Sequence, residues 1–64
     1  MTEASASHLR TLAADTEALQ QRLRDTLAGL DGLTPNVSFQ LGEAFASLGS
    51  AARTLEAAAS EAAV

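Results

Sequence analysis

Two runs of apolar residues, each spaced alternately three and four apart and separated by a short segment holding a glycine and a proline, leave this chain few folds to choose from. The first run is Leu9, Leu12, Thr16, Leu19, Leu23, Thr26, Leu30 and Leu33. The second is Val37, Leu41, Ala44, Leu48, Ala51, Leu55, Ala58 and Ala62. That spacing is the seam of a helix packed along its length against another. The two runs are in opposite phase about Thr34 and Pro35. Antiparallel pairing therefore sets Leu33 against Val37, Leu30 against Leu41, Leu23 against Leu48, Leu12 against Ala58 and Leu9 against Ala62. The expected fold is all-α, a single antiparallel two-helix hairpin spanning residues 1–64.

Local signals place the ends of the helices. Gly32 suits the left-handed residue that follows a helix, and Thr34-Pro35 reads as an N-cap followed by the first helical position, where proline loses no needed hydrogen bond. Helix 1 is expected over about 3–31, the turn over 32–34 and helix 2 over 35–62. Thr2, Ser5 and Ser7 all have side chains able to cap the start of helix 1.

The 64-residue length makes that hairpin marginal alone. A single core of this size ordinarily needs a disulfide, a metal or a partner chain. There is no cysteine, and the only histidine is His8, so neither a disulfide nor a His/Cys metal site is expected and no cofactor is implied. Association with other helices remains. A net charge of −4, with four arginines and no lysine, argues against nucleic acid as the partner. The apolar runs fall well short of the roughly 20 residues of a membrane span. The N-terminal residues carry no basic segment and apolar run of a secretory signal. A cytoplasmic location is expected, with signal-less export left open; from the high alanine and absent lysine a bacterial source with a GC-rich genome is expected.

The positions flanking the seam divide into an apolar and a polar edge. On one, Leu27 meets Phe45, Gln20 meets Ala52 and Ala13 meets Ala59. On the other, Gly29 meets Gln40, Arg22 meets Ser47, Asp15 meets Thr54 and His8 meets Glu61. Full burial of Leu27 and Phe45 would contribute about 3 to 6 kcal/mol, as much as the whole stability of so small a unit. Leu27, Phe45, Ala13, Ala52 and Ala59 are therefore the expected self-association surface, most simply of a homodimer forming a four-helix bundle. Alternatively, Leu27 and Phe45 fill the gap beside the small Thr26 and Ala44 layer within one chain.

A second surface is expected on the outside of helix 2, where Phe39, Gly42, Ala46 and Gly49 form a strip smooth enough for the close approach of a larger protein partner. Two glycines inside a helix ask for a reason, since each costs roughly 1 kcal/mol relative to alanine.

Little here suggests catalysis. His8 lacks an oriented nucleophile, and a two-helix rod offers no enclosed pocket. Thr16 and Thr26 on the seam can each bond a backbone carbonyl one turn back and so demand no ligand. The expected function is that of a non-enzymatic helical interaction protein, a self-associating accessory subunit or adaptor that docks a larger partner. In shape, the hairpin resembles the short helical hairpins exported by ESX-type systems and the subunits of secretion needles. Its turn, Asp31-Gly32-Leu33-Thr34-Pro35-Asn36, lacks the Trp-x-Gly of the former. That resemblance implies the alternative, an exported or filament-forming structural hairpin.

Overall fold

A computed structural model describes residues 3–63 as two α-helices, α1 (Glu3–Ala28) and α2 (Pro35–Ala62), packed antiparallel against each other. The molecule is a rod of 48 × 17 × 9 Å, measured between Cα atoms. Its radius of gyration, 14.8 Å, exceeds the roughly 11 Å of a compact chain this long. No helix among the described residues is long and apolar enough to cross a membrane.

The start of α2 follows from two residues. Thr34 is extended (φ −69°, ψ 156°), and its hydroxyl oxygen accepts from the Val37 N–H at 3.3 Å, while its carbonyl accepts from the Ser38 N–H at 3.0 Å. Pro35 fills the first helical position. Thr34 thus satisfies a backbone donor that helix geometry leaves without a partner. Thr34→Ala should lower stability by about 1 kcal/mol, readable as a shift in the urea midpoint at fixed protein concentration.

Helix α1 ends three residues sooner than the seam pattern suggests. The Gly29 N–H bonds Thr26 O at 3.1 Å and the Leu30 N–H bonds Leu27 O at 3.2 Å, i to i−3 bonds that tighten and close the last turn. Leu30 and Leu33 consequently belong to the connection and are exposed. Gly32 does adopt the left-handed conformation, with φ +70°, but within this longer connection rather than directly behind the helix. Of the candidate N-caps for α1, Ser5 and Ser7 lie inside the helix and Thr2 lies outside the described residues.

The packed seam is rotated by one residue from the expected one. On α1 the buried or part-buried positions are Ser5, Ala6, Leu9, Ala13, Thr16, Gln20, Leu23 and Leu27; on α2 they are Leu41, Phe45, Leu48, Gly49, Ala52, Leu55, Ala59 and Ala62. Seven of the sixteen expected seam residues are retained: Leu9, Thr16 and Leu23 on one helix, Leu41, Leu48, Leu55 and Ala62 on the other. Leu12, Leu19 and Thr26 have moved out, as have Ala44, Ala51 and Ala58. In their place stand Ala13, Gln20, Leu27, Phe45, Ala52 and Ala59.

The physical reason is the size of the residues at closest approach. Every buried side chain among the described residues is an alanine, with Ala6, Ala13 and Ala59 at or below 1% exposure. Short side chains allow the two backbones to come together. Leu9, Leu23, Leu48 and Leu55 are part-buried beside them. Thr16 behaves as its seam position demands, donating its hydroxyl to Leu12 O at 2.8 Å.

Candidate interaction faces

In an antiparallel pair, equivalent rotations of the two helices bring corresponding flanks to the same side of the hairpin. Leu12, Leu19 and Thr26 each precede a seam residue of α1 by one position, and Ala44, Ala51 and Ala58 do the same on α2. Each set recurs every seven residues, so each forms a stripe running the length of its helix. The stripes lie side by side and give the rod one broad apolar face. Leu12 is 51% exposed and Leu19 47%. Val37 extends the α2 stripe toward the turn end, where Leu30 and Leu33 are also exposed.

The opposite face is polar. A shallow notch of about 270 Å³ lies between the helices there, lined by Glu17, Gln20, Gly49, Ala52, Arg53 and Glu56. Gln20 reaches across the seam and donates from Nε2 to the Phe45 carbonyl at 3.0 Å. It can do so because Gly49 has no side chain: a Cβ there would stand 2.5 Å from Gln20 Nε2. Arg53 donates to Ser50 Oγ at 3.4 Å, one turn back. Arg24 donates to Gln21 Oε1.

The residues expected to form a self-association surface are thus distributed differently. Ala13, Ala52 and Ala59 are buried between α1 and α2 of the same chain, and Leu27 and Phe45 are part-buried in the same seam. Leu27 and Phe45 thus keep part of their surface free in the single hairpin. Ala13, Ala52 and Ala59 cannot reach a second molecule while the hairpin is closed. The free apolar edge is the neighbouring one, carrying Leu12 and Leu19.

The strip expected on the outside of α2 is also divided. Among the described residues Phe39 is the most exposed large apolar side chain, at 67%, and Gly42 and Ala46 are exposed beside it. Gly49, by contrast, is buried beneath Gln20. Its absent side chain serves contact within the chain, whereas nothing stands within 4 Å of where a Gly42 Cβ would be. The two glycines should therefore respond differently to alanine. Gly42→Ala is expected to raise stability by about 1 kcal/mol through helix propensity alone. In Gly49→Ala the same gain is offset by displacement of the Gln20 amide, a hydrogen bond of about 1 kcal/mol. Urea denaturation of both variants at one protein concentration would read the difference.

His8 and Glu61 are both exposed near the open end of the rod. No group of three or more His, Asp or Glu residues among the described residues is arranged to hold a metal ion. Comparison with protein-family models, curated proteins and solved structures gives no match to this chain.

Proposed function

We propose that the chain is a non-enzymatic helical interaction protein, a self-associating accessory subunit or adaptor whose hairpins pair into a four-helix bundle. The observation that carries this reading is the mismatch between what the hairpin buries and what it leaves out. It buries alanines and exposes Leu12, Leu19, Leu30, Leu33 and Val37. A compact 6.5 kDa monomer exposes roughly 3,800 Å²; this chain exposes 4594 Å². The excess is close to one partner's share of a standard protein interface, about 800 Å².

Self-association through the Leu12 and Leu19 face leaves the Phe39, Gly42 and Ala46 side of α2 on the outside of the bundle. That side is the docking place for a larger partner. The adaptor role rests on its position and on the exposed Phe39 ring; aromatic side chains in such places are common anchors of helix recognition.

Folding and association are coupled in this account, so stability depends on concentration. The thermal midpoint of the far-UV helical signal should rise steadily as protein concentration is raised a hundredfold. An unchanging midpoint would mean that the hairpin folds as a monomer and that its broad face is not self-complementary.

A further inference from the structure

Resting on the self-association reading, we propose that the occupant of the broad apolar face is a second copy related by a twofold axis parallel to the helices. Leu12 and Leu19 of each hairpin then lie on Ala58 and Ala51 of the other. Three observations converge on this arrangement.

The first is side-chain size. One stripe of the face carries Leu12 and Leu19, while the other carries Ala44, Ala51 and Ala58. Rotation about an axis along the rod places the α1 of one copy over the α2 of the other at the same height. Each leucine then meets an alanine, and the layers stay close to constant in volume, as dense packing requires. A twofold axis across the rod would stack α1 on α1 and α2 on α2, crowding leucine on leucine and leaving gaps between alanines.

The second is the rim. One turn outside the leucine stripe, α1 carries His8, Asp15 and Arg22, all exposed; outside the alanine stripe, α2 carries Ser47, Thr54 and Glu61, also exposed. The same levels bring Arg22 beside Ser47, Asp15 beside Thr54 and His8 beside Glu61 across the interface. No like charges meet, and the one exposed histidine faces a carboxylate.

The third is area. The broad side of the rod spans 48 by 17 Å between Cα atoms, and a second copy presents a footprint of the same length and breadth. One further copy is enough to cover it.

The chain has no cysteine, so single cysteines can report the axis directly. Leu19→Cys chains carrying a size tag are mixed under denaturing conditions with untagged Ala51→Cys chains, and separately with Leu12→Cys chains, then refolded and oxidised. Asp15→Cys with Thr54→Cys repeats the test at the rim, leaving every leucine in place. The expected result is mixed disulfide formation for 19 with 51 and for 15 with 54, at least tenfold faster than for 19 with 12. Faster cross-linking of 19 with 12, or none of these pairs in a protein of dimeric mass, would overturn the arrangement and leave self-association standing. A monomeric mass for the unaltered chain would instead overturn the self-association on which it rests.

Discussion

Replacing both Leu12 and Leu19 with aspartate is expected to abolish association and most of the helical signal at micromolar concentration. Both side chains are already about half exposed in the single hairpin, so the substitutions leave the Ala13, Ala52 and Ala59 seam untouched. What they would remove is burial against the proposed second copy. Full burial of a leucine contributes about 2 kcal/mol, of which roughly half remains to be gained here. Four such side chains in a symmetric dimer give about 4 kcal/mol, on the order of a thousandfold in dissociation constant. Four carboxylates forced toward an apolar interface add a further penalty. Sedimentation and far-UV circular dichroism read the two losses together. A double variant that keeps its mass and helicity would show that these leucines do not hold copies together.

The second large effect is expected inside the hairpin, and two phenylalanines six residues apart make the comparison. Phe45 is part-buried in the seam on the same heptad level as Leu27, whereas Phe39 is 67% exposed on the outside of α2. Phe45→Ala removes the largest side chain between the helices. Truncating a fully buried phenylalanine costs 3 to 5 kcal/mol; partial burial brings this to about 2 to 3 kcal/mol, a large share of what a 64-residue unit has. Helicity and association should fall together, because the apolar face exists only while the hairpin is closed. Phe39→Ala should change stability by no more than about 0.5 kcal/mol. Urea titrations of the two variants at equal concentration would check the contrast. A similar loss from Phe39→Ala would move that ring from the outer face into the fold.

These two results turn on the one feature of the fold that heptad spacing does not decide. The hairpin, the antiparallel pairing and the start of α2 at Thr34-Pro35 are legible because turn chemistry and apolar periodicity agree. Which of two adjacent stripes faces inward is not. Leu9, Thr16 and Leu23 are common to both, and each stripe completes a proper three-four repeat, one through Leu12 and Leu19, the other through Ala13, Gln20 and Leu27. Assigning the bulkier residues to the inside favours the leucines. Close approach of backbones through alanine and glycine favours the other stripe, and it prevails within one chain. Gln20 and Gly49 carried the available clue. A polar side chain long enough to cross the seam, opposite a glycine that leaves a carbonyl reachable, fits the inward stripe that passes through Gln20.

The end of α1 was obscured for a related reason. Leu30 and Leu33 continue the apolar spacing beyond the helix, so the pattern runs on past Ala28 while the backbone closes at Gly29. Periodicity records where apolar side chains recur, whether or not the residues bearing them are helical. The exposed turn-end leucines and Val37 are consistent with the same role as Leu12 and Leu19: apolar surface that a single hairpin does not cover.

The most direct test of this account is the absolute mass of the unaltered protein by multi-angle light scattering across a hundredfold range of concentration. It predicts a single species of twice the 6.5 kDa chain mass, giving way to the monomer only at the dilute end as helicity falls. A fully helical species of single-chain mass throughout would contradict it, as would a mass that climbs without limit. The first would mean that the leucine face needs no second copy, the second that hairpins join in an open filament rather than a closed bundle.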